Sequence, residues 1–352
     1  MPAAPPPRDN NFGFLRLLFA ALVIVAHSPE LRDAGDAREI LTRIFGTLSF
    51  GTLAVDGFFL ISGYLVTQSF DRTRSLPAFL VKRGLRIVPG YAVSFWACAL
   101  LLAPCVGGAD TFLLRPTFDH NAWRFLTLAQ PDVPGVYRGT WHPELNGAMW
   151  TIAYEFCCYL GVAAAGLLGL LRPRGQPLLL AAVALALLLG PTGLLDAALP
   201  QADPTLAVAT RFGAIFGVGA LFYLFRERVP LVGLAALAAA VALCGLLFVP
   251  ALAEPAVALC GGYLVFWFAL RAKVLRLSRF DNRIDLSYGV YLYGWPIQKT
   301  IIWAIPTADP WLVSAVTLAG AALLAYASWC WVEHPALRLG QRVAGRLAGL
   351  RG

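Results

Sequence analysis

The chain has 352 residues, 59% of them hydrophobic and 14% charged, where a soluble globular protein carries about a quarter charged residues. Apolar runs recur to its last tenth, which excludes a soluble globular or disordered chain and implies an all-α polytopic membrane protein with about ten transmembrane helices. The net charge of +8 is therefore read as an orientation signal facing anionic membrane lipids, and no nucleic acid is expected as a partner.

In chain order the spans fall near 12–29, 50–69, 87–105, 149–170, 177–195, 206–225, 230–249, 255–271, 286–305 and 311–332. Each is long enough to cross a hydrocarbon core of about 30 Å. Most of the 28 basic residues lie at the amino terminus, in alternate gaps between spans and in the tail, whereas the other gaps hold 12 of the 20 acids. That asymmetry places both termini in the cytoplasm. Arg16 interrupts the first apolar run and no small-residue cleavage site follows, so this span is read as retained. Residues 1–352 read as one transmembrane domain with no appended soluble domain, because no composition shift divides them.

The first span, "NNFGFLRLLFAALVIVAHS", holds the first chemical question. Arg16 and His27 are 11 residues apart, about three turns and about 16 Å along one helix face. They face a common cavity at different depths, or else Arg16 snorkels to one interface while His27 sits in the other. The second span, "SFGTLAVDGFFLISGYLVTQSF", places Asp56 in its outer part and small residues Ser62 and Gly63 near mid-membrane, where they permit close helix packing. "FLVKRGLRIVPGY" then carries Arg83 and Arg86, three apart at a helix start, where two guanidiniums can grip phosphate or serve as ordinary cytoplasmic-side arginines. The loop over 106–148 is long enough to be a lid; within it Asp119 is expected to cap a helix, and His142 either reaches an acceptor or is solvated.

The fourth span, "NGAMWTIAYEFCCYL", contributes Trp150 and Glu155. Asp56 and Glu155 are expected to converge on His27, since a carboxylate that orients an imidazole makes a general base; a structural ion pair is the competing explanation. The ninth span, "DLSYGVYLYGWPIQKT", supplies Tyr288 and Trp295 as ring faces and is kinked by Pro296. The seven cysteines form no Cys-x-x-Cys pair and are read as small apolar residues, and no metal site is expected. Phosphate-seeking arginines on one side and a His–carboxylate group on the other suit a nucleotide-headed donor with a long pantetheine arm.

These motifs resemble the membrane-bound acyltransferase-3 family, whose members O-acylate bacterial surface carbohydrates. The matching pieces are "RLLFAALVIVAH", "VDGFFLISGYL", "RGLRIVP", "NGAMWTIAYEF", "SYGVYLYGWPIQ" and "WVEHP", in the family's order over residues 10–335. The resemblance implies an acyl-CoA donor, with acetyl-CoA the expected form, and no permanently bound cofactor. It implies a carbohydrate or glycolipid acceptor and a location in the bacterial inner membrane. It makes Arg16 and His27 the essential pair, Arg83 and Arg86 donor-binding, and matches Trp150 and Glu155 to the fourth-span motif. Gly294 stands where many members carry a histidine, so a second catalytic histidine is not expected there. The resulting expectation is an O-acyltransferase with catalytic His27, Glu155 and Asp56, donor-binding Arg16, Arg83 and Arg86, and substrate-binding Trp150, Tyr288 and Trp295. A proton-coupled transporter or flippase of a lipid-linked sugar is the alternative.

Overall fold

The computed structural model describes residues 10–73, 75–201, 203–272 and 284–349. Among them the only regular elements are helices: α1 (Phe12–Asp33), α2 (Ile40–Phe45), α3 (Phe50–Thr73), α4 (Leu76–Trp96), α5 (Arg115–Leu126), α6 (Ile152–Leu167), α7 (Gln176–Leu189), α8 (Leu194–Ala198), α9 (Pro204–Leu224), α10 (Gly233–Leu246), α11 (Pro250–Ala256), α12 (Gly262–Arg271), α13 (Ser287–Ala304), α14 (Pro310–Ser328) and α15 (His334–Gly349). Among the described residues, seven helical stretches are long and apolar enough to cross a membrane, three of them composites joined by a π-helical turn: Leu76–Val106, Pro250–Arg271 and Pro310–Leu347. The expected spans near 177–195 and 230–249 correspond to the shorter apolar helices α7 and α10, and the one near 286–305 to the 18-residue α13.

The centre of the bundle is a glycine crossing between α3 and α9. A Cβ on Gly63 would fall on the Phe216 carbonyl oxygen, and one on Gly219 on the Leu60 carbonyl oxygen. Only hydrogen at both positions lets the two backbones touch, which is how helices associate where burial from water supplies no drive. α1 packs between α3 and α13 with similar intimacy: Gly57 meets the Phe19 ring, Gly294 meets Ile24, and Gln298 donates to the Ile24 carbonyl and to Ser28. α1 and α13 are thereby held side by side in parallel.

Two expectations change. α4 begins at Leu76, well before position 87, with a proline in its first turn, so Arg83 and Arg86 stand within the helix and not at its start. In the long loop α5 begins at Arg115, and Asp119 lies inside it, 3.6 Å from Arg115, instead of capping it. The loop is fastened to the bundle: Tyr91 donates to the Ala129 carbonyl (2.6 Å), Trp295 to the Glu144 carbonyl (3.1 Å) and Asn146 to the Leu292 carbonyl (2.8 Å).

Candidate active site

Arg16 from α1 and Arg86 from α4 both donate to the same oxygen of Asp285, at 2.6 and 2.5 Å. The other Asp285 oxygen accepts from the Ser287 hydroxyl (2.6 Å) and backbone N–H (3.3 Å). Burial works to raise the Asp285 carboxyl, but the two guanidiniums and Ser287 hold it well below the usual carboxylate range. Arg83, one turn from Arg86, donates to Ser69 (3.2 Å) and lies over the rings of Tyr159 and Phe79. Arg16 and Arg86 of the expected arginine group are therefore joined by an acid that the sequence reading did not select, and Arg83 stands beside them on Ser69. The signal was present: Asp285 is an acid in a basic loop, followed two residues on by the serine that orients it.

Two cavities meet at these arginines. The inner one runs into the bundle past Phe58, Ser62, Glu155, Tyr159, Tyr288 and Tyr291. The outer vestibule, between α3, α4 and α15, encloses about 430 Å³, within the roughly 300–1,000 Å³ of ligand sites. Arg16, Arg83 and Arg86 line both.

Glu155 stands in the inner cavity, where one carboxylate oxygen accepts from Ser62 (2.9 Å) and Tyr159 (2.6 Å). Tyr288 donates to the Ile87 carbonyl (2.9 Å), and the Arg86 guanidinium lies 5.8 Å from its ring. On α13, Tyr288, Tyr291 and Trp295 follow at i, i+3 and i+7, which sets them on one face. That face leads from the arginines to His27, whose ring meets Trp295 edge-on at 5.0 Å. Arg16 and His27 thus both meet the same segment, one at Asp285 and the other at Trp295, but of the two only Arg16 lines the cavities.

The acids expected beside His27 are elsewhere. The His27 imidazole pairs through Nδ1 with Glu30, one turn along α1, at 2.7 Å. An ionised carboxylate only accepts, so in the neutral imidazole the proton sits on Nδ1 and the lone pair on Nε2. Asp56 is fully buried and accepts from Arg211 at 2.6 Å; Arg211 also pairs with Glu254 at 2.6 Å. The glycine crossing causes this: Asp56 and Arg211 lie about two turns before Gly63 and Gly219, and the parallel crossing sets them opposite each other. Trp150 is 45% exposed, packs on Tyr154 and Phe212, and lines neither cavity. His142 lies across Trp295 from the loop side, ring centres 6.2 Å apart.

Residues 9–330 of the chain match the family described as an acyltransferase domain. The chain belongs to that acyltransferase family. It is 30% identical to nodulation protein 10 of Rhizobium leguminosarum bv. viciae, over 96% of this chain and 95% of that protein. It is 28% identical to an O-acetyl transferase of Shigella phage Sf6, over 93% of this chain and 95% of the relative. A shorter match, 28% identical over 44% of the chain and 39% of the relative, is to an acyltransferase of Streptomyces mycarofaciens. No solved structure matches the chain. Family membership and the apolar helices make this a multi-pass membrane acyltransferase and weigh against the transport reading.

Proposed function

We propose that this acyltransferase moves an acetyl group from acetyl-CoA, or a related acyl-CoA, to a hydroxyl of an exported or surface carbohydrate. The observation that carries the reading is the pair of cavities meeting at Arg16, Arg83 and Arg86, joined to His27 by the Tyr288–Tyr291–Trp295 face. An O-acetyl transferase as relative over nearly the full length supports the acetyl group. The chain crosses the bacterial inner membrane about ten times with both termini and the arginine vestibule in the cytoplasm.

The donor enters the vestibule headgroup-last. Its phosphates meet the guanidiniums, and its arm extends through the inner cavity, where the Glu155 carboxylate accepts from an amide N–H of the arm. Arg16 and His27 are about 16 Å apart along α1, which the extended arm spans. His27 Nε2 takes the proton of the acceptor hydroxyl as its oxygen attacks the thioester carbon. The tetrahedral intermediate collapses, the carbon–sulfur bond breaks, and the proton held on His27 passes to the departing thiolate. Glu30 holds the imidazole in the required tautomer and stabilises its cation, as a carboxylate does in other histidine-based acyl transfers.

The test is to measure carbohydrate-bound acetyl in cells lacking the protein, complemented with wild type or His27→Ala. Restoration by wild type alone supports both the reaction and its base. Equal restoration by the variant removes His27 from the mechanism.

A further inference from the structure

The two cavities differ in where their charge lies. Among the described residues, the walls inside the neck formed by Arg16, Arg83 and Arg86 carry no other cation, whereas the vestibule adds Arg72 and Lys82. Both stand outward of the neck. Arg72 is three residues beyond Ser69, the serine that accepts from Arg83, so it lies about one turn further along the same face of α3. Lys82 is one turn before Arg86 on α4, and its ammonium donates to Thr73 at 3.2 Å, next to Arg72 in the chain. Arg72 is exposed and makes no ion pair among the described residues.

A CoA thioester has a fixed order along its length: acyl group, pantetheine arm, pyrophosphate, then a ribose bearing a 3′-phosphate. The cavity has a matching order. With the acyl group inside the bundle, the pyrophosphate reaches the three neck arginines, and the 3′-phosphate falls beyond them. That monoester carries about −1.5 to −2 of charge at neutral pH and needs cations outside the neck. We infer that Arg72 and Lys82 receive the 3′-phosphate and make the enzyme selective for CoA over its 3′-dephospho form. Arg72 supplies a bidentate fork and Lys82 a compact point charge. The assignment rests on the donor reading above and adds to it the residues that read one end of the donor.

The test needs no acceptor. The full-length protein in detergent micelles is titrated with CoA and with 3′-dephospho-CoA. The wild type is expected to bind CoA roughly 10–100-fold more tightly, the value of one or two charge-assisted contacts. The Arg72→Gln/Lys82→Gln variant is expected to bring the two affinities together by weakening CoA alone. Arg72→Gln by itself changes one exposed side chain, so it folds where the double variant fails, and it should give an intermediate ratio. Equal affinities in the wild type overturn the assignment, as does a ratio that survives in both variants. An equal loss for both ligands in the variant overturns it too, since that marks a general field and not a subsite. Binding of neither ligand by the wild type removes the donor reading, and this assignment with it.

Discussion

His27 donates its Nδ1 proton to Glu30 at 2.7 Å, so the partner of the proposed base comes from its own helix, one turn away. A partner at i+3 holds the ring whatever the rest of the bundle does, and it leaves Nε2 free. His27→Ala is expected to lower the acetyl-transfer rate by roughly 10²–10⁴-fold. Glu30→Ala should cause a smaller loss in kcat with little change in donor KM. Measuring initial rates of free-thiol release checks both; a Glu30→Ala enzyme with wild-type kcat would remove the orienting role.

Asp285 holds Arg16 and Arg86 together, and Asp285→Asn leaves two guanidiniums in close quarters without their shared anion. Breaking such a buried pair costs about 3–5 kcal/mol. The pH dependence has a definite sign. The folded carboxyl is held below its unfolded value of about 3.9, so its contribution is present above that pH and disappears as the pH falls through the folded value. Thermal unfolding at a series of pH values should show a constant gap between wild type and variant from pH 8 to about 5, narrowing only below about pH 4. A gap that closes between pH 7 and 6 would mean that another group carries the linkage.

The crossing of α3 and α9 depends on hydrogen at Gly63 and Gly219. Gly63→Ala sets a methyl group against the Phe216 carbonyl oxygen, a backbone atom that cannot rotate away. The expected cost is about 1–3 kcal/mol or more. Gly213→Ala, on α9 with open space around its Cβ, should be neutral or stabilising by about 0.5–1 kcal/mol. Unfolding midpoints of the two variants in the same detergent decide the matter; equal midpoints would refute the backbone contact.

Asp56 is expected to behave as a structural acid. Arg211→Gln strands a fully buried carboxylate and should lower stability by about 3–5 kcal/mol, while Asp56→Asn combined with Arg211→Gln should recover part of that loss. Transfer rate per folded molecule should stay near wild type in the double variant. A double variant that folds but has lost its activity would return Asp56 to the catalytic set.

The sequence by itself determined the class of protein, the positions of the main helices and the shared face of Arg16 and His27. Those follow from short-range rules: hydropathy counted over a window, and a helix that brings residues 11 apart back to one face. Glu30, at i+3 from His27, obeys the same rule and was legible there. Only the tertiary structure decided which acid meets which base. Asp56 joined Arg211 because two glycines let α3 and α9 touch, and Asp285 joined Arg16 to Arg86 across 269 and 199 residues of chain. Depth along a span places a charge within a layer of the membrane. Its partner within that layer is set by helix rotation and crossing, which side-chain volume at the contacts controls.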